Sequence, residues 1–132
     1  MIRFQTIAKF HLPSKQLRSF INNPDYMTDV FAFVKKYDKD RGLFQLQGIS
    51  KFVFGSSRAN VSILAEEDKT TYIINGKTLV LSIHFFFEDP LRIEFVAEGR
   101  GILGKVSEFL FKTNFEKYIK YAAKKLREYA GC

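Results

Sequence analysis

The stretch GRGILGKVSEFLF, from Gly99 to Phe111, is where the hydrophobic period of this sequence changes. Before it, apolar residues alternate with polar ones, as in half-buried strands; after it, they recur about every 3.6 residues, as on one helix face. The apolar face continues to Tyr129, opposite a row of lysines and glutamates. The spacing predicts one long amphipathic helix from Leu103 to Ala130, which would cross the whole domain at about 1.5 Å per residue.

The residues before this stretch form short alternating runs that end at turn-forming residues, such as the Asn-Gly pair at 75–76. Because the connections are too short for crossovers, neighbouring strands are predicted to be antiparallel. Prolines open two short helices after the first strand, over residues 14–21 and 24–31. The predicted strands cover residues 1–10, 32–38, 43–54, 59–66, 70–75, 78–87 and 91–98.

The order of these elements resembles the helix-grip fold of the START, birch-pollen-allergen and polyketide-cyclase superfamily. The likeness covers essentially the whole chain, including LPSKQLRSFINNPDYM from Leu12 to Met27 and the stretch from Gly99 to Phe111. It implies an α+β fold in which a curved, seven-stranded antiparallel sheet wraps the long helix around a hydrophobic cavity for lipids, sterols or polyketides. Size and style also resemble a small uncharacterised family from thermoacidophilic archaea.

Every second residue along the strands from Val61 to Ala97 is apolar, which gives one nearly continuous sheet face toward the helix. Tyr72 is the one ionisable group of this face. General acid–base catalysis needs an ionisable group with a tuned pKa, so no catalytic residue is predicted and ligand binding is favoured, although a solid core fits the same pattern. We expect non-enzymatic binding of a lipid-like molecule, for transfer, storage or sensing. The candidate cavity residues are Val61, Ile63, Tyr72, Ile74, Leu81, Ile83, Phe85, Ile93, Phe95, Val106, Leu110, Phe115 and Ile119.

Phe86 stands between two phenylalanines, so in a strand it must point away from the core that Phe85 and Phe87 share. Other apolar residues are predicted on the same convex side of the sheet. Because an apolar patch on an outer face usually marks an interaction surface, we predict a homodimer that packs sheet against sheet. The predicted interface residues are Leu64, Ile73, Val80, Phe86 and Val96.

Length and composition are those of one globular domain, with 132 residues, 46% hydrophobic residues and 15 phenylalanines. The longest uncharged apolar run, from Thr78 to Phe87, is about half of the roughly 20 residues that a membrane helix needs, so no span or signal peptide is predicted. Cys132 is the only cysteine and has no partner for an internal disulfide. A cytoplasmic location is expected.

Motifs for phosphate or metal binding are incomplete in this sequence. The segment from Gly99 to Val106 satisfies G-x-x-x-x-G-K, but Val106 stands where a Ser or Thr would hold magnesium. The strand before it is predicted to be antiparallel, whereas a phosphate loop belongs to a parallel βαβ unit. His11 and His84 are the only histidines and lie far apart in the sequence, so neither a metal nor a cofactor is predicted.

The net charge of +7 leaves an anionic partner open as an alternative. The last helix carries much of the surplus and could bind nucleic acid, or contact an anionic membrane transiently. Glu108 and Lys112 stand four residues apart, as do Glu116 and Lys120, which is typical of a solvated helix face. Stacking of bases also needs exposed aromatics beside the basic residues, and most aromatics here alternate inward, so nucleic acid is disfavoured.

An enzyme of the cyclase or hydrolase type is a further alternative. It would require a polar side chain inside the cavity. His84 or Arg58 would point inward only if a β-bulge reversed the alternation of its strand. The alternation is least regular at residues 52–54, next to Gly55.

Overall fold

A curved antiparallel sheet and a long C-terminal helix make up most of the structure, a computed structural model that describes residues 1–10 and 14–131. His11 and Cys132 therefore lie outside the described residues, as do Leu12 and Pro13. The elements are β1 (Ile2–Ala8), α1 (Ser14–Ile21), α2 (Pro24–Met27), β2 (Val34–Asp38), β3 (Leu43–Leu46), α3 (Ser50–Phe54), β4 (Arg58–Ala65), β5 (Lys69–Asn75), β6 (Leu79–Phe86), β7 (Leu91–Gly99) and α4 (Gly104–Ala130).

The sheet has seven strands in the order β1-β7-β6-β5-β4-β3-β2, and each neighbouring pair is antiparallel. The chain therefore lays down β2 to β7 side by side, and β1 pairs with β7 at the far edge. This arrangement confirms the predicted α+β fold, with a curved seven-stranded antiparallel sheet, a long C-terminal helix and short helices between the first two strands.

The core lies between the concave face of the sheet and α4. Along β6, buried residues alternate with half-buried ones, because alternate side chains of a strand face opposite sides. Tyr72, Ile83 and Phe95 stand in one cross-strand row of this buried face. The helix meets them with Phe111, Tyr118, Ala122 and Leu126, all of them buried.

Aromatic rings fill the space between the sheet and the middle of α4. The ring of Phe115 stacks on that of Phe4 at 4.1 Å between centroids and meets Phe95 edge-on at 5.2 Å. The ring of Tyr118 lies edge-on to Phe33 at 5.4 Å. Such contacts add about 0.5–1.5 kcal/mol each to the burial of the rings themselves. This part of the interior is therefore a packed aromatic core.

The structure departs from the predicted elements between residues 43 and 54. Here β3 ends at Leu46, and residues 50–54 form the short helix α3, so the predicted strand over 43–54 is wrong in its second half. Val53 and Phe54 are both fully buried, which a strand with one buried face cannot achieve for neighbours but a helix can. The second short helix also ends early, at Met27 rather than at residue 31.

Candidate functional site

A groove of about 450 Å³ lies between α3 and the first turns of α4. This volume is within the roughly 300–1,000 Å³ of small-molecule sites. Its walls are mainly apolar, and two exposed lysines border it. The wall residues include Phe52, Leu103, Val106 and Leu110, the buried base includes Thr78 and Ser107, and the bordering lysines are Lys51 and Lys77.

The base of the groove is held by hydrogen bonds that join separate elements. The hydroxyls of Thr78 and Ser107 lie 2.5 Å apart, which links the loop between β5 and β6 to the first turn of α4. The N–H of Thr78 donates to the carbonyl of Phe54 at 3.0 Å, and its carbonyl accepts from the N–H of Arg100 at 2.9 Å. The polar groups of the base are thus largely satisfied by one another, which leaves an apolar groove above them.

The rim of the groove is shaped by the contact between two glycines. The backbones of Gly99, at the end of β7, and Gly104, at the start of α4, touch so closely that a Cβ at Gly104 would lie 2.7 Å from the carbonyl carbon of Gly99. The residues between them are forced outward as a tight loop. Ile102 and Leu103, in that loop, are therefore exposed although both are apolar.

Glu108 fastens this loop to the sheet. Its side chain is 9% exposed, and it accepts a hydrogen bond of 2.8 Å from the N–H of Gly99. The other carboxylate oxygen lies 3.1 Å from the α-amino group of Met1. The hydrogen bond from Gly99 holds the pKa of Glu108 below its usual value, with help from the α-amino group and against the effect of desolvation. Glu108 is therefore part of the packed structure and does not share the solvated face that its spacing to Lys112 predicts.

Solved structures share this fold. A hypothetical protein from Sulfolobus tokodaii superimposes with a TM-score of 0.68 at 13% sequence identity, over 96% of this chain and 92% of that one. The solution structure of protein BH1534 from Bacillus halodurans superimposes with a TM-score of 0.59 at 12% identity, over 96% of this chain and 97% of that one. No protein-family model and no curated protein matches the chain. At these identities the likeness establishes the fold alone.

The structure divides the predicted cavity residues into three groups. Val106 and Leu110 line the groove. Seven others are buried in the core, namely Tyr72, Ile74, Leu81, Ile83, Phe85, Ile93 and Phe95. The rest are partly buried against that core, namely Val61, Ile63, Phe115 and Ile119. The predicted set therefore surrounds the space under α4, while the groove lies at the N-terminal end of the helix.

Tyr72, the one ionisable residue of the predicted cavity set, has a structural role. Its hydroxyl donates a hydrogen bond of 2.5 Å to the carbonyl of Ile21, at the end of α1. Burial raises the pKa of the hydroxyl well above its usual range, so Tyr72 stays neutral. It anchors α1 to the sheet.

Sequence reasoning missed most of the groove because it read α3 as part of a strand. Phe52 and Ser57 enter the groove from α3 and the loop after it, and Lys77 and Thr78 enter from a hairpin loop. The available signal was the spacing of the glycines at 48 and 55, which bracket a segment too short and too irregular for a central strand. Both glycines have positive φ angles, which end the adjoining elements.

The predicted interface residues all lie on the convex face, but they form two separate groups. Leu64, Ile73, Val80 and Val96 are diagonal neighbours across four strands. Phe86 stands apart from them, beyond His84 along β6 and in the row of Lys69 and Arg92. The guanidinium of Arg92 lies 3.8 Å above the Phe86 ring, a cation–π contact that covers part of it.

His84 and Arg58 both lie away from the concave face. His84 is half-buried on the convex side, where its Nδ1 lies 2.9 Å from the hydroxyl of Thr71. Burial lowers the pKa of His84, and the positive charge of Lys69 lowers it further. Arg58 is exposed at the start of β4. Neither residue supplies the inward polar group that the enzyme alternative requires.

Two lysines of α4 are engaged in ion pairs within the described residues. Lys120 pairs with Glu116 at 2.9 Å, as its spacing predicts, and Lys125 pairs with Glu128 at 3.6 Å. The ammonium group of Lys125 also lies 5.6 Å from the centre of the Tyr121 ring. The basic stripe is therefore partly neutralised, as expected for an ordinary solvated helix face.

The part of the chain that spans residues 1–10 and 14–131 contains no group of three or more His, Cys, Asp or Glu residues placed to hold a metal ion. None of its helices combines the length and the hydropathy needed to cross a membrane.

Proposed function

We propose that the protein binds an amphiphilic small molecule, with an apolar body and an acidic head group, in the groove between α3 and α4. The observation that carries this proposal is the combination of an apolar groove of about 450 Å³ with lysines at its border. The apolar body would replace water along Phe52, Val106 and Leu110. Transfer, storage or sensing of a lipid-like compound would each use such a site.

The lysines at the border favour an acidic head group. Within the described residues, neither Lys51 nor Lys77 lies within ion-pair distance of a carboxylate, so both ammonium groups are available to a ligand. Beside a low-dielectric wall, an ammonium group attracts a carboxylate or phosphate more strongly than it does in bulk water. The lysines would therefore orient the ligand with its head toward solvent.

The chemistry of the groove supports binding rather than catalysis. Thr78 and Ser107, the hydroxyls at its base, are bonded to each other, and neither has a histidine or carboxylate among the groove residues to activate it. An amine at the border can attract an anion without taking part in a reaction. The groove therefore has the features of a carrier site.

Ligand binding can be tested with a fluorescent fatty acid such as parinaric acid, together with mass spectrometry of organic extracts of the native protein. We expect saturable binding in the absence of membranes and an acidic amphiphile in the extract. Val106→Asp should weaken binding of the probe at least about tenfold, because it places a charge on the apolar wall. Ile7→Asp is the matched control, since Ile7 is 61% exposed at the opposite end of the sheet. An empty extract and no saturable probe binding would refute the proposal.

A further inference from the structure

One end of the molecule displays a cluster of exposed apolar side chains, which we call the tip: Phe52, Ile102, Leu103, Val106 and Phe109. Ile102 is 99% exposed, Phe52 70% and Phe109 62%. These residues come from α3, the loop between β7 and α4, and the first turns of α4. Single exposed apolar residues are common on proteins, but a contiguous cluster of large ones marks an interaction surface.

The shape of the tip is imposed by the backbone. Because Gly99 and Gly104 are in contact, the loop between them has to project from the end of the sheet. The N–H of Gly104 closes the loop by bonding the carbonyl of Gly101 at 3.1 Å. The tip therefore presents Ile102 at the apex of a tight loop, a shape suited to insertion into a soft surface.

The charge around the tip is positive. Lys51, Lys77 and Lys105 are exposed beside the apolar residues. The one acidic residue between Gly99 and Phe109 is Glu108, whose carboxylate is turned inward and bonded to backbone and α-amino groups. An apolar protrusion bordered by lysines complements a surface with an apolar interior and anionic head groups.

We propose that the tip docks onto an anionic lipid bilayer, with Ile102, Leu103 and Phe109 in the interfacial layer and the lysines against the lipid head groups. Phe52, Leu103 and Val106 belong to both the tip and the groove. The groove therefore opens where the bilayer would lie, and an amphiphile can pass between them with little exposure to water. The bilayer is a partner distinct from the ligand of the groove, because contact between the tip and a bilayer can be measured without any ligand.

Insertion can be followed with a single reporter, because the chain has no tryptophan. Ile102→Trp places one at the apex, and Ile7→Trp places one on an exposed site at the other end of the sheet. We expect the emission of Ile102→Trp to shift to shorter wavelength when vesicles of phosphatidylcholine and phosphatidylglycerol are added, while Ile7→Trp does not change. Equal responses of the two variants, or none from Ile102→Trp, would overturn the proposal. A shift that appears without vesicles as the protein concentration rises would also overturn it, in favour of a second copy at the tip.

Co-sedimentation with the same vesicles tests whether Ile102 and the positive charge around the tip are needed for bilayer binding. The wild type should sediment with anionic vesicles, less with neutral phosphatidylcholine vesicles, and less at high salt. Ile102→Asp should lower the partition coefficient about tenfold or more, and Ile7→Asp should leave it unchanged. If Ile102→Asp binds vesicles as well as the wild type, the proposal fails.

The ligand proposal and the bilayer proposal fail in different measurements. Ile102 belongs to the tip, but it is not among the residues that line the groove. Ile102→Asp should therefore keep the affinity for the soluble fatty-acid probe while losing vesicle binding. Probe binding without vesicle binding in the wild type would overturn the bilayer proposal alone, and the reverse would overturn the ligand proposal alone.

Discussion

The backbone N–H of Gly99 donates a hydrogen bond of 2.8 Å to the carboxylate of Glu108. This bond ties the last residue of β7 to the second turn of α4 and closes the base of the loop that carries Ile102. Since a carboxylate is a stronger acceptor than a neutral group, the tie depends on the charge of Glu108. The geometry of the tip and the stability of the protein are therefore linked through one ionised side chain.

Glu108→Gln should lower the free energy of unfolding by about 1 kcal/mol at pH 7, because it removes the charge from the hydrogen bond and from the pair with Met1. The pKa of Glu108 is lowered in the fold, so its contribution is present above the ordinary value of 4.5 and is lost as pH falls through the folded value. Urea unfolding at pH 7 and pH 3 should show that the difference in the free energy of unfolding between wild type and variant becomes small in acid.

Glu116→Gln is the matched control for this measurement. Glu116 is exposed and pairs with Lys120 at 2.9 Å, and exposed ion pairs contribute little to the free energy of unfolding. We expect its unfolding curve to follow that of the wild type at both pH values. If Glu108→Gln is destabilised as much at pH 3 as at pH 7, the charge of Glu108 is not the cause of its contribution to stability.

The hydroxyl pair of Thr78 and Ser107 predicts non-additive mutational effects. Ser107→Ala leaves the buried hydroxyl of Thr78 without this partner and should destabilise the protein by about 1–3 kcal/mol. In Thr78→Val/Ser107→Ala both polar groups are gone, so much of that loss should be recovered. A double-mutant cycle from urea unfolding checks this, and purely additive effects would contradict a direct bond.

Much of the fold was predictable because strands β4 to β7 bury one face and expose the other. The alternation from Val61 to Ala97 leaves one workable register, and the change of period after Gly99 predicts the long helix. The position of the groove was harder to predict from the sequence, because it depends on which side chains fill the space under α4. Phe115 occupies that space by stacking on Phe4, a contact between residues at opposite ends of the sequence that periodicity does not reveal.

The segment around α3 shows a second limit of sequence reasoning. Its apolar residues are too few to distinguish a helical period from a strand, and tertiary contacts decide the outcome. The hydroxyl of Ser50 donates to the carbonyl of Phe33 at 3.1 Å, which fixes the start of this helix against the β2 segment. The tip could not be predicted either, because the sequence GRGILG indicates only a turn, and the projecting loop follows from the contact between Gly99 and Gly104.

His84 should make the stability of the protein depend on pH below neutrality. Burial and Lys69 lower its pKa in the fold, so the folded state resists a proton that the unfolded chain accepts. The contribution is therefore present above the ordinary pKa of 6.5 and is lost as pH falls toward the lowered folded value. In His84→Gln, less stability should be lost between pH 7 and pH 5 than in the wild type.

Proton NMR checks the pKa of His84 directly. The chain has two histidines, and the resonance that is missing in His84→Gln belongs to His84. Its midpoint should lie below 6.5, the ordinary value for histidine. A midpoint at or above that value would show that the hydrogen bond to Thr71 or the charge of Glu94 outweighs burial and Lys69.

The convex face predicts a homodimer formed by the patch of Leu64, Ile73, Val80 and Val96. These residues are diagonal neighbours, whereas Phe86 lies apart and beneath Arg92. Leu64 is 55% exposed, so a substitution there tests the interface with the least effect on the folded monomer. We expect the wild type to sediment as a dimer and Leu64→Asp as a monomer, because a pair of carboxylates would be buried without partners. Phe86→Asp should weaken the dimer less than Leu64→Asp does. A monomeric wild type at about 100 μM, a concentration at which a dimer with a dissociation constant near 1 μM would be almost fully formed, would refute the interface.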